Sequence, residues 1–264
     1  MKNTFIILGL LVTLFCSCND LAKIQKSKNS EFKLQKANEF YDKKQYGKAN
    51  ILMEELLPIY KGTKMFEGIY YKYAMSFYHQ KSYLAASYHF KNFADLFPRS
   101  AKSEEARYLH SACLFKISPE HTLDQSNTLK AIGELQQFIN TDPTSKNVKD
   151  ANKMIDESRL KLEAKDKYSA ELYYKVSQFK AAAIYFEQIM NKYPDSPSID
   201  YYQLMVLKSR YKYAKRSIEN RQEERFQQVI SDFKFFKQSN PKNQYIKEME
   251  SIKSLSSQAI SKNK

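Results

Sequence analysis

The stretch Tyr83-Leu84-Ala85-Ala86-Ser87-Tyr88-His89-Phe90-Lys91-Asn92-Phe93-Ala94-Asp95-Leu96-Phe97-Pro98 decides the fold. Its large and small apolar residues fall at Tyr83, Ala86, Phe90 and Phe93, spaced by three, four and three, and a proline closes it at Pro98. That spacing puts one apolar stripe on a helix, and the residue before a proline is biased out of helical geometry. The same offsets recur at Phe179, Ala182, Phe186, Ile189 and Pro194, and at Phe226, Val229, Phe233, Phe236 and Pro241. Ala131, Leu135, Phe138 and Pro143 repeat four of the five positions. Tyr46, Ala49, Met53 and Leu56 form a degenerate copy in which Pro58 arrives early. Upstream, Ala37 with Phe40, Ala74 with Phe77 and Ala170 with Tyr173 precede their second alanine by fixed distances. A helix–turn–helix unit is therefore repeated about five times, from about Phe32 to Met249.

This pattern resembles the tetratricopeptide repeat, in which small residues let two antiparallel helices touch and proline ends the second. Spacings between successive second-helix positions run 37, 45, 51 and 47 residues from Ala49, so units three to five are longer than the usual repeat. Ser196-Pro197 reads as a cap followed by a first-position proline, and Thr122 to Gln125 as a capping box. The expected fold is all-α, an α-solenoid of about five hairpins over residues 32–250. Residues 251–264, with five Ser and three Lys, read as a flexible tail.

Composition agrees. The chain has 264 residues, 42% hydrophobic, with only 5 Gly and 7 Pro. That is too little turn chemistry for an all-β sandwich or barrel, and no two glycines stand close enough for a phosphate loop. The formal charge of +14 comes from 36 Lys and 7 Arg against 29 acids. Dispersed Lys solvates helical surfaces and suits an anionic membrane, whereas nucleic-acid surfaces concentrate Arg. No nucleic-acid partner is expected.

At the amino terminus, Lys2 is followed by the apolar run Phe5 to Phe15, too short to span a membrane but suited to a secretory signal over residues 1–17. Phe15-Cys16-Ser17-Cys18 resembles a lipobox, which makes Cys18 the acylation site, with residues 18–31 as the tether. Only Cys113 then remains, in an apolar helical context where a lone cysteine behaves as a small hydrophobe. Two or three acyl chains at about 0.8 kcal/mol per buried methylene anchor a protein durably.

Catalytic chemistry is not visible. His79, His89, His110 and His121 have no partners at metal-ligand spacing, and neighbouring acids such as Glu104-Glu105 point about 100° apart on a helix. No enzyme activity, metal or cofactor is expected. Alignment to the repeat pattern places Asn38, Tyr41, Tyr71, Met75 and Tyr78 on the groove side of first helices, where tyrosine offers contact area and a hydroxyl. A second candidate surface lies near the fifth repeat, where Arg210, Arg216, Arg221 and Arg225 cluster beside Lys208, Lys212 and Lys215. Arginine is suited to bidentate carboxylate recognition.

A lipobox followed by five elongated repeats is similar to the BamD (YfiO) family of lipoproteins of the outer-membrane β-barrel assembly machinery. Three stretches carry the likeness: Tyr70 to Ala74 through Tyr83-Leu84-Ala85-Ala86 to Phe97-Pro98-Arg99-Ser100; Asp124-Gln125 through Ala131 to Asp142-Pro143-Thr144-Ser145; and Phe179-Lys180-Ala181-Ala182 to Tyr193-Pro194-Asp195-Ser196-Pro197. The resemblance implies an outer-membrane, lipid-anchored protein facing the periplasm. It also implies two partners. Unfolded outer-membrane proteins would be read by the N-terminal groove (Asn38, Tyr41, Tyr71, Met75, Tyr78), and a BamA-like barrel protein would be docked by Arg210, Arg216, Arg221 and Arg225. The alternative is a repeat lipoprotein scaffolding another envelope complex, for division or peptidoglycan coordination.

Overall fold

The computed structural model describes residues 21–262, which are all-α with no strand among them. The helices are α1 (Ser30–Asp42), α2 (Tyr46–Tyr60), α3 (Phe66–His79), α4 (Tyr83–Leu96), α5 (Ser103–Lys116), α6 (Ser126–Thr141), α7 (Val148–Lys175), α8 (Phe179–Lys192), α9 (Ile199–Lys215), α10 (Glu219–Ser239) and α11 (Ile246–Lys262). They form the consecutive hairpins of an α-solenoid: α1/α2, α3/α4, α5/α6, α7/α8 and α9/α10, with α11 added at the end. Residues through Pro119 with Asp124–Ser158 make one compact unit, and Glu120–Leu123 with the chain from Arg159 make another. In the first, each helix from α1 to α6 packs on the next; in the second, α8 to α11 do the same and α11 also reaches α9.

Small residues are where the repeat needs them. Ala37, Ala49, Ala74, Ala86, Ala131, Ala170 and Ala182 are fully buried, so paired helices can approach without a side chain between them. Phe90, Phe93, Phe138 and Phe186 fill the space around these contacts. Pro98, Pro143, Pro194 and Pro241 each stand one residue past the helix cap, at Phe97, Asp142, Tyr193 and Asn240. They stop the second helices as their lost amides require. Pro58 lies inside α2, two residues before its last residue Tyr60.

The scarcity of glycine has a consequence at the turns. Lys44, Lys81 and Ser177 sit at the same place between first and second helices, each with a positive φ near 60°. Each closes the preceding helix with the paired bonds of a Schellman motif, such as Ser82 N–H to Phe77 O at 3.0 Å and Lys81 N–H to Tyr78 O at 3.0 Å.

The proline turns carry a recurring link between repeats. Ser100, Ser145 and Ser196 follow their prolines by two residues and accept the amides of Lys102, Asn147 and Ser198. Their hydroxyls donate to Glu67 at 2.6 Å, Glu104 at 2.5 Å and Glu163 at 2.5 Å, each on the first helix of the preceding hairpin. Asn243 takes this place after α10, accepting from Tyr245 N–H and donating to Gln203. Ser196 is therefore a turn and link residue rather than a helix cap; α9 begins at Ile199, with Ser198 at its cap position. The Thr122 to Gln125 box also resolves differently, because α6 starts at Ser126 and Asp124 accepts that residue's amide.

Two expectations at the ends are corrected. Residues 251–262 of the segment read as a flexible tail belong to α11, which buries Met249, Ile252, Ser256 and Ile260 at helical spacing. This helix covers the apolar face that the last hairpin would otherwise leave open. Within the 18–31 tether, residues 21–25 are helical and Ile24 packs into the first core. The signal region and Cys18 lie outside the described residues.

Candidate functional site

In the first unit, α1 and α3 bring the groove candidates together. Gly68, Tyr71, Lys72, Met75 and Tyr78 recur at three- and four-residue spacing along α3, so they share one side of the helix. Lys72 reaches across to α1, donating to Asn38 Oδ1 at 2.7 Å with its ammonium 5.3 Å from the Tyr41 ring centroid. Tyr41 is half-buried and meets Tyr46 and His79 edge-on. Tyr78 packs edge-on to Tyr83 and Phe90, and Met75 is half-buried against the same core.

Tyr71 has a different role from its neighbours. It is 7% exposed, and its hydroxyl donates to Glu105 on α5 at 2.6 Å. Its ring carries the Lys102 ammonium at 4.4 Å. Burial first, and then the bond to Glu105, push its hydroxyl pKa up, so the phenol stays a donor. It ties α3 to α5 and presents little surface. What remains open beside it is a depression of about 510 Å³ lined by Leu34, Asn38, Met65, Gly68, Ile69, Lys72 and Lys102. Lys72 and Lys102 were not among the sequence candidates, although Lys72 shares the stripe of Gly68 and Met75. With no side chain at Gly68 and nothing within 4 Å of where one would begin, an extended chain can approach the α3 backbone there.

The four arginines of the second unit separate into different environments. Arg210 is engaged inside the protein, bonded to Glu187 on α8 at 2.7 Å and to Asp232 on α10 at 2.5 Å. Burial raises the Glu187 pKa, partly offset by that guanidinium. Arg216 lies exposed with its guanidinium 4.8 Å from the Phe179 ring centroid. Arg221 pairs with Glu224 one turn on, in the open. Arg225 stacks on Tyr213 at 4.2 Å and donates to Ser217 Oγ.

Cys113 is fully buried, and burial raises its thiol pKa to about 12, which removes the thiolate that reactivity needs. Among the described residues no group of His, Cys, Asp and Glu could hold a metal ion, and no helix is long and apolar enough to cross a membrane.

A family model described as YfiO, outer membrane lipoprotein, matches residues 26–225. This chain belongs to the YfiO family. The match spans the repeats from α1 into α10, the length over which serine–glutamate links and buried alanines recur. YfiO membership makes this an outer-membrane lipoprotein of the BamD type. No curated protein matches the chain.

Proposed function

We propose that this protein is a non-enzymatic component of the outer-membrane β-barrel assembly machinery, lipid-anchored through Cys18 and facing the periplasm. Its first unit receives unfolded outer-membrane proteins, and its fifth hairpin docks a BamA-like barrel protein. The observation that carries this reading is the α1/α3 depression in a YfiO-family chain. Apolar floor residues Leu34 and Ile69 lie beside the Asn38–Lys72 pair and Lys102. Such a surface accepts an extended segment by its side chains while amide and ammonium groups meet its polar atoms.

The test is a photocrosslinker placed at Asn38, Met75 or Tyr78 in cells making outer-membrane barrels. Crosslinks to C-terminal segments of unfolded barrels are expected. Affinity capture from detergent-solubilised membranes should recover the BamA-like protein, and Cys18→Ala should release the protein from the membrane. Recovery of a division or peptidoglycan protein in place of BamA would assign the alternative scaffold role.

A further inference from the structure

The junction between a second helix, the next first helix and the next second helix is built twice with different chemistry. In the first unit, α4, α5 and α6 bring Lys91, His110 and Glu134 together. His110 Nε2 stands 3.3 Å from Glu134 and Lys91 Nζ 4.0 Å from it. The recess there, about 390 Å³, is also lined by Asp95, Arg107 and Gln137. In the second unit, α8, α9 and α10 bring Glu187, Arg210 and Asp232 together, with Arg210 one turn further along its helix than His110 is along its own. Glu187 follows Ala182 by five residues as Lys91 follows Ala86, and Asp232 follows Val229 by three as Glu134 follows Ala131.

Here the ion bridge closes on itself, part-buried. Arg210 binds both carboxylates, and the space beside it, about 510 Å³, is lined by Lys180, Ala183, Ile184, Tyr213, Arg225 and Gln228. Ile184 is 42% exposed at this recess. Among the described residues, the cations at its edge form no ion pair with an acid. Arg225 is held by the Tyr213 face and the Ser217 hydroxyl, Lys180 is exposed, and the carboxylates of Glu187 and Asp232 are engaged by Arg210. An apolar recess with unneutralised cations beside it calls for an apolar group flanked by negative charge.

We propose that the recess between α8, α9 and α10 seats one large apolar side chain of an acidic partner segment, with Arg225 and Lys180 meeting carboxylates on either side of it. This deepens the docking assigned to the fifth hairpin and rests on that reading. It also moves the anchor point: the exposed Arg221 is peripheral, and Arg210 acts only by holding α8 to α10.

Because the protein contains no Trp, a tryptophan in a probe peptide reports binding without background. The probe is a blocked hexapeptide with two acids on each side of Trp-Leu, titrated into the full-length protein in neutral detergent. A saturable blue shift and rise in anisotropy are expected. Ile184→Asp or Arg225→Ala should weaken binding about tenfold or more, equivalent to about 1.4 kcal/mol. Arg221→Ala should leave it unchanged, and a lysine-flanked peptide should not bind. Circular dichroism of the Ile184→Asp and Arg225→Ala proteins checks that both remain folded.

No saturable binding, or binding indifferent to Ile184→Asp and Arg225→Ala, would overturn the proposal. So would displacement of the probe by phosphatidylglycerol vesicles with equal sensitivity to both changes, because the recess would then be a lipid site. Capture of the BamA-like protein by Ile184→Asp at the wild-type level would remove the recess from docking but leave the fifth hairpin's role standing. Peptide binding without any BamA capture would do the reverse.

Discussion

The Tyr71 hydroxyl donates to Glu105 at 2.6 Å, joining the first helix of one hairpin to that of the next. The same Tyr71 ring carries the Lys102 ammonium at 4.4 Å, and Lys102 lines the α1/α3 depression. Tyr71→Phe removes one donor while the exposed Glu105 carboxylate stays hydrated, a loss of about 0.5–1.5 kcal/mol. The variant should melt at a lower temperature by circular dichroism yet still crosslink substrate through Met75 and Tyr78. A Tyr71→Phe protein with an unchanged melting point would remove the structural role given to this bond.

The turns between helices carry a cost that can be relieved. An L-residue in the left-handed region is disfavoured by about 1 kcal/mol relative to glycine, and Lys81 sits there with φ 60°. Lys81→Gly loses some of that gain to the greater freedom of its unfolded chain. A net stabilisation of about 0.5 kcal/mol, read as a higher urea midpoint with unchanged slope, is expected. The same change at exposed Lys91, inside α4, should destabilise by a similar amount because glycine there weakens the helix.

Ala86 and Ala182 test the hairpin packing itself. Both are fully buried, each in the core of its own unit. Ala86→Leu inserts three carbons where paired helices touch, costing about 1–3 kcal/mol or more. Thermal melts should show a clear loss for Ala86→Leu and Ala182→Leu, whereas Lys153→Gln on an exposed face should be close to neutral. Equal melts for all three would contradict close packing at these positions.

Those alanines and the four prolines that end helices made the hairpins readable, because helix contact and helix termination are local demands on residue type. Links between repeats were not readable. Ser100 and Glu67 are far apart in sequence, and nothing in either segment alone says that they meet. Composition misled at the carboxyl end: Ser and Lys suggest a tail, but Met249, Ile252, Ser256 and Ile260 keep a helical period that outweighs them. The arginine cluster was legible as charge only. Which members serve the fold became clear when Arg210 was seen between Glu187 and Asp232.

Acidification should weaken the first unit. His110 is buried, with Ser87, Lys91, Arg107 and Glu134 around it, and burial outweighs the raising effect of Glu134 to hold its pKa below 6.5. As pH falls through about 6.5, the unfolded chain takes up a proton that the folded chain does not. Stability is therefore present above that value and lost below it. Burial lowers His79 and His89 in the same direction. Urea unfolding at pH 7.5 and 5.5 should show the wild type weaker at 5.5, and His110→Gln with a smaller difference, by at most about 1.4 kcal/mol per pH unit. An identical difference in the variant would exclude His110 as a contributor.

Finally, Arg210 and Arg221 should separate an ion pair that holds the fold from one that stands in solvent. Arg210 bridges α8 and α10 through Glu187 and Asp232, and its own side chain is 24% exposed. Arg210→Ala leaves two carboxylates close together without their cation, one of them on the 10% exposed side chain of Asp232. Removing one partner of a fully buried pair costs about 3–5 kcal/mol, and partial exposure here reduces that to about 2–3 kcal/mol. Arg221 pairs with Glu224 where both are more than half exposed, so Arg221→Ala should cost under about 0.5 kcal/mol. Chemical unfolding gives the comparison directly. Arg210→Ala should lower the midpoint of the second unit, and Arg210→Met, which restores bulk without charge, should not recover it because the carboxylates still repel. Recovery by methionine would show that Arg210 acts through packing alone.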